Sequence, residues 1–137
     1  MTYRKAEIRP FRDEDEPVLF GLASLDRGAD RRTLNVLERE TVFVAEIEGA
    51  PAGYVALEQR GERMCVDQLF VSPEHEGEGV GRQLLEWAEG YAIAEHASKL
   101  QVVVEAENRR ALEFYRGRGF TPAGDDLLEL ELPRSSP

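Results

Sequence analysis

The stretch Val104-Glu105-Ala106-Glu107-Asn108-Arg109-Arg110-Ala111-Leu112-Glu113-Phe114-Tyr115-Arg116-Gly117-Arg118-Gly119-Phe120 decides how the rest of the chain is read. Asn108 is a good helix N-cap, because its side-chain oxygen can accept one of the free N–H groups at a helix start. The helix it opens is expected to run to Arg116 and to stop at Gly117 and Gly119. Residues 100–104 before it form a short strand of the buried type. Residues 120–123 and 127–132 after it form a hairpin turning at Gly124-Asp125-Asp126.

Moving toward the N-terminus, Leu69-Phe70-Val71-Ser72-Pro73-Glu74-His75-Glu76-Gly77-Glu78-Gly79-Val80-Gly81-Arg82 is the next informative run. It ends a strand over residues 64–71 whose two faces are both largely apolar, which predicts a central position in a sheet. Pro73 sets a turn, and a helix over residues 79–96 follows with an apolar stripe at Val80, Leu84, Leu85, Ala88 and Ala92. Gly77, Gly79 and Gly81 let backbone approach a ligand, and the helix start offers free N–H groups and partial positive charge. That is the chemistry of a phosphate or pyrophosphate cradle. Tight strand–helix packing uses glycines equally well, so both readings stand on the glycines alone. No Gly-Lys-Ser/Thr follows, and the spacing is not G-x-G-x-x-G, which argues against the best-known nucleotide loops.

Further upstream, residues 8–11 end a first strand. Asp13 is expected to cap a helix through Ala23, residues 26–30 form a break, and residues 31–39 form a second short helix. Strands follow at 41–47 and 52–59, with turns at 48–51 and 60–62. The order β-α-α-β-β-β-α-β-α-β-β predicts an α/β fold: a mixed sheet with helices on both faces.

A chain of 137 residues suits one domain, expected over residues 1–132 with a disordered tail at 133–137. The hydrophobic share of 42% and charged share of 32% fit a globular protein. The formal charge of −10 argues against a nucleic-acid partner. No apolar run is long enough to span a bilayer, so no membrane partner is expected. The start Met1-Thr2-Tyr3-Arg4-Lys5 has no secretory character, and the single Cys65 suits a reducing compartment, so a cytoplasmic location is expected. Lys5 and Lys99 are the only lysines. This acidic, arginine-rich balance fits a high-GC genome or salt adaptation equally, and it favours a cationic acceptor by steering.

The first run resembles the second signature of the GCN5-related N-acetyltransferase superfamily, Asn-x-x-Ala-x-x-Phe-Tyr-x-x-x-Gly-Phe, in Asn108, Ala111, Phe114, Tyr115, Gly119 and Phe120. The glycine run resembles the same superfamily's acyl-CoA signature, Gln/Arg-x-x-Gly-x-Gly/Ala, with Gly79 and Gly81 as its glycines. The element order matches over nearly the whole chain. The resemblance implies a centrally splayed sheet of the acyl-CoA N-acyltransferase fold, and direct acetyl transfer from acetyl-CoA to a primary amine without a covalent enzyme intermediate or a metal. The splayed strands would be residues 64–71 and 100–105. Backbone groups of Leu69, Phe70 and Val71 would bind the pantetheine arm and polarise the thioester. The backbone of Gly77, Glu78, Gly79, Val80, Gly81 and Arg82 would hold the pyrophosphate. Asn108 would contact the arm, cap the helix, or do both. Tyr115 would be the general acid for the departing thiolate, or simply a packed ring.

The chain also departs from the pattern. Val103 occupies the place where related protein N-terminal acetyltransferases carry a Glu. Asp67 on the first splayed strand is therefore the favoured base, with Glu105, two residues beyond Val103 on the same strand face, second. Glu76 replaces the family's Gln or Arg. With Glu74 and Glu78 it surrounds an anion site with acids, opposed locally by His75 and Arg82. Cys65 reads as packing rather than nucleophile, and His75 and His96 do not suggest a metal site. The acceptor, whether small amine, peptide N-terminus or lysine, is unmarked, and a homodimer is compatible with the fold. A non-catalytic acyl-CoA-binding or regulatory module of the same fold is the alternative, and a protein-interaction domain without cofactor is a third reading.

Overall fold

The computed structural model describes residues 3–27 and 31–133. The elements run β1 (Glu7–Pro10), α1 (Asp15–Arg27), α2 (Arg31–Arg39), β2 (Thr41–Ile47), β3 (Ala50–Arg60), β4 (Arg63–Val71), α3 (Val80–Ala94), β5 (Lys99–Val103), α4 (Arg109–Gly117), β6 (Thr121–Gly124) and β7 (Leu127–Glu131), with one 3₁₀ turn at Pro73–His75. This is the expected order. Seven strands are hydrogen-bonded in the order β1-β2-β3-β4-β5-β7-β6, which places β4 at the centre. β4 and β5 are parallel, while β1–β2, β2–β3, β5–β7 and β6–β7 are antiparallel. The break expected at 26–30 and the tail at 133–137 lie largely outside the described residues.

The chain forms two compact units. One gathers residues up to Leu57 together with Gln68–Ala88, and the other gathers Glu58–Asp67 with residues from Glu89 onward. In the first unit, alternation along β2 and β3 sorts side chains to two faces. Val42, Val44, Tyr54 and Ala56 pack with Leu19 and Ala23 of α1 and Val36 and Leu37 of α2. From the opposite face Phe43 meets Trp87 of α3 at 5.6 Å between ring centroids. The predicted α3 stripe is fully buried at Leu84, Leu85 and Ala88, and each such leucine contributes roughly 1.5–3 kcal/mol. Gly53 of β3 is there because a Cβ would collide with the carbonyl oxygen of Phe70 on β4.

Several boundaries differ from expectation, and two of the differences have a clear local cause. α1 begins at Asp15 rather than after Asp13. Asp15 accepts the backbone N–H of Arg12 at 2.7 Å and a bidentate pair of bonds from Arg9, both 2.7 Å, which anchors the helix start there. The β2–β3 turn is only Glu48-Gly49, both left-handed at φ 53° and 78°, as a tight primed hairpin requires.

In the second unit, β4 and β5 share four register pairs, Arg63↔Lys99 to Val66↔Val102. Asp67 lies just past the end of that ladder. β5 continues into the antiparallel β7, which pairs Lys99↔Glu131 to Val103↔Leu127. Gln101, buried on β5, donates to Glu129 on the neighbouring β7 at 2.7 Å.

Candidate active site

The glycine loop belongs to the first unit and follows directly from β4. The N–H of Ser72 bonds to Ala52 at 2.7 Å, and Pro73–His75 make the 3₁₀ turn that reverses the chain. Gly77 and Gly79 have φ of 78° and 84°, a region that favours glycine. Gly81 is already in the first turn of α3 and does not need that freedom. The first intrahelical bond is Gln83 N–H to the Gly79 carbonyl at 3.2 Å. The N–H groups of Gly79, Val80, Gly81 and Arg82 have no acceptor among the described residues, leaving the four open donors of a helix start. Leu69, Phe70 and Val71 precede them within the same unit, so the residues expected to bind the cofactor, Asn108 apart, lie in one strand–loop–helix segment.

The charges around this loop are arranged differently from the sequence expectation. His75 does lie against the acids: its Nδ1 is 2.7 Å from Glu78 and its Nε2 is 3.7 Å from Glu74. Arg82 does not. Its guanidinium pairs with Glu86 one turn along α3 at 2.9 Å, in exposed positions, which is the ordinary i,i+4 partnership of a helix surface. What the loop offers an anion is therefore its backbone N–H groups rather than a free Arg82 guanidinium.

The second unit holds the other expected residues. Asn108 caps α4 by accepting the Ala111 N–H at 3.2 Å, and its own Nδ2 has no acceptor among the described residues. The cap leaves that amide available to a ligand, so the two roles are compatible. Tyr115 is buried, with Phe114 and Phe120 edge-on at 5.1 and 5.3 Å. Its hydroxyl has no hydrogen-bond partner among the described residues, and burial pushes its pKa up to about 12. Asp67 is half-buried on β4.

Glu105 is a correction. β5 ends at Val103, so Glu105 lies beyond the strand in an exposed turn where its carbonyl accepts the Asn108 N–H at 2.9 Å. Glu105 is therefore not part of the paired strand, and no hydrogen bond among the described residues holds its carboxylate. Sequence reasoning also missed Glu58 on β3, whose carboxylate comes within 4.8 Å of that of Asp67. The hairpin signal at Gly61 was visible, but only the register across that turn brings the two acids together. Cys65 is half-buried and its thiol pKa is raised, chiefly by burial, which suits packing rather than nucleophilic work.

With this geometry in view, the comparisons with known proteins place the chain in a class. The model of the acetyltransferase (GNAT) family matches residues 5–120, and the chain belongs to that family. An N-acetyltransferase of uncharacterised function from Archaeoglobus fulgidus is 35% identical over 85 residues, which are 57% of this chain and 58% of that protein. The spermidine N(1)-acetyltransferase of Escherichia coli K12 is 32% identical over 95 residues, covering 67% of this chain and 51% of that enzyme. The chain thus spans about half the length of these curated relatives. Among solved structures, the ribosomal-protein-S18-alanine N-acetyltransferase of Escherichia coli shares the fold, with a TM-score of 0.83 at 19% identity over 96% of this chain and 97% of that one.

Proposed function

We propose that this chain is a cytoplasmic N-acetyltransferase that moves acetyl directly from acetyl-CoA to a primary amine. The observation that carries the reading is the set of four N–H groups at Gly79–Arg82 that are open among the described residues, presented by two left-handed glycines in the loop that follows the central strand. Such a helix start suits a diphosphate without requiring any basic side chain. The backbone of Leu69, Phe70 and Val71 is the continuation along which the pantetheine arm would bind and where the thioester carbonyl would be polarised.

In the proposed reaction the amine nitrogen attacks the thioester carbonyl carbon, the C–S bond breaks, and the amine's proton leaves to a base. Asp67 is the proposed base. Its neighbour Glu58 brings a second carboxyl group to the same place, and such a pair is better satisfied by a cationic amine than by water alone. The polyamine named for the Escherichia coli relative supports an acceptor of this kind. Tyr115 is the proposed donor to the departing sulfur. A phenol near 12 is a much weaker acid than a thiol near ~8.5, so complete proton transfer at rest is uphill by about 5 kcal/mol. The phenol therefore acts first as a neutral hydrogen-bond donor as charge builds on sulfur, and burial keeps it neutral for that task.

An acetyl-CoA consumption assay against polyamines, small monoamines and peptides tests the reading. Turnover with a free amine supports it. Tight CoA binding with no turnover on any amine would instead support the non-catalytic acyl-CoA-binding module.

A further inference from the structure

Gln83 stands in the first turn of α3, and its side-chain amide is engaged on every side. Oε1 accepts the Ala6 N–H at 2.9 Å, while Nε2 donates to the carbonyls of Arg4 at 2.7 Å and Gly79 at 3.1 Å. Chemistry fixes its orientation. A flipped amide would set N–H against N–H at Ala6 and oxygen against oxygen at both carbonyls. Arg4 adds its own N–H to the Glu78 carbonyl at 2.9 Å. The N-terminal segment 4–6 thus meets a side-chain amide where a neighbouring strand would offer a peptide group.

The carbonyls being held are those of Glu78 and Gly79. A peptide unit is planar and trans, so holding a carbonyl also fixes the direction of the N–H of the following residue, on the opposite side of the same plane. The bonds to Glu78 and Gly79 therefore aim the N–H groups of Gly79 and Val80. The approach of the segment is close: a Cβ at Gly79 would lie 2.9 Å from the Tyr3 ring. Gly79 is required both by its φ and by this contact.

We infer that Gln83 is a positioning residue for the cofactor loop, pinning the loop to segment 4–6 so that two of its four open N–H groups are aimed before ligand arrives. This rests on the proposed reading of the loop as the diphosphate cradle of CoA. The expected role is pre-organisation: the side chain touches no ligand, yet its loss weakens binding.

The test uses the whole chain as parent, Gln83→Leu and Gln83→Glu, with nuclear relaxation, amide exchange and CoA calorimetry. In Gln83→Leu the N–H vectors of Gly79 and Val80 should lose order. The Arg4 amide, which bonds Glu78 and not Gln83, should exchange roughly 10-fold faster or more, and CoA should bind about 10- to 100-fold more weakly, the scale of losing two or three neutral hydrogen bonds. Gln83→Glu should behave the same way at neutral pH, because a carboxylate cannot donate. Relative to the parent at each pH, which corrects for Glu74, His75 and Glu78, it should recover as its carboxyl protonates and regains one donor. This ratio decides the matter if Gln83→Leu does not fold. Parental order and Arg4 exchange in the variants would overturn the inference, as would a loosened loop with unchanged CoA affinity. A parent that binds no CoA would instead remove the cofactor reading, while the relaxation and exchange measurements still decide whether Gln83 holds the loop.

Discussion

Tyr115 shows how much a single residue's environment changes its chemistry. Its position was legible in the sequence as part of a motif, but its burial and its pKa near 12 were not, because they depend on Phe114 and Phe120 closing around it. Tyr115→Phe should slow transfer by roughly 10²- to 10⁴-fold while leaving CoA affinity close to parental. Steady-state kinetics with calorimetry separates the two effects, and a parental rate would end the assignment. The same residue predicts a stability signature. Its folded pKa lies above the unfolded value near ~10, so its contribution is intact below pH ~10 and is lost as pH rises toward 12. Denaturant titrations from pH 9 to 11 should show that decline in the parent and less of it in Tyr115→Phe. Asp67 was legible as an acid on a central strand. Its partner Glu58 was hidden, since a one-residue change in hairpin register would turn it to the other face.

Among the elements, the glycine loop with α3 is the one whose electrostatics most needed coordinates. Three glutamates were visible at Glu74, Glu76 and Glu78, but the sequence does not say what His75 and Arg82 contact. His75 is committed to Glu78 and Glu74, and Arg82 to Glu86. With its one local arginine already paired, the loop should not show the steep loss of anion affinity with salt that a basic site shows. CoA binding is expected to hold steady or tighten as salt rises toward ~1 M, where screening shortens to ~3 Å. Calorimetry across the salt series checks this. Affinity that falls steeply would mean that arginines elsewhere dominate. Element order was readable because helix and strand periods differ so clearly in this chain. Boundaries were less so: Asp13 and Asp15 are equal candidates for a helix start until Arg9 grips one of them. β5 also stops earlier than its apolar run suggested, which leaves Glu105 beyond the paired strand.

For the whole molecule, the large acidic excess sets the pH response. As acids begin to protonate below neutrality, self-repulsion falls and stability should hold or rise. A specific loss then follows. The Arg9 guanidinium, with its bidentate hydrogen bonds, holds the Asp15 carboxyl below its ordinary value despite burial. A depressed folded pKa means stability that is present above the unfolded value, near ~4, and lost as pH falls through the folded one. Unfolding measured from pH 6 to 2 should drop mainly below pH ~4. Asp15→Asn should be less stable at neutral pH and show a shallower acid decline, and equal slopes in the two proteins would contradict this role for the pair. Arg9 lies on the edge strand β1 and also contacts Glu46 of β2 at 3.0 Å, so it joins the start of α1 to two strands of the sheet.

The connections between strands also imply an order of assembly. β2 and β3 meet across the two-residue turn Glu48-Gly49, a closure that hairpins make in microseconds. The parallel pairs of β4 and β5 wait for a crossover that contains the whole of α3, and they number only four. Loop-closure entropy makes such non-local pairing late. Conservative truncations at Val44 and Val55 should therefore slow refolding, whereas truncations at Val66 and Val102 should chiefly speed unfolding. Stopped-flow chevrons read both. The strand ends nearest the proposed thioester position would then be the last part of the sheet to form and the first to open.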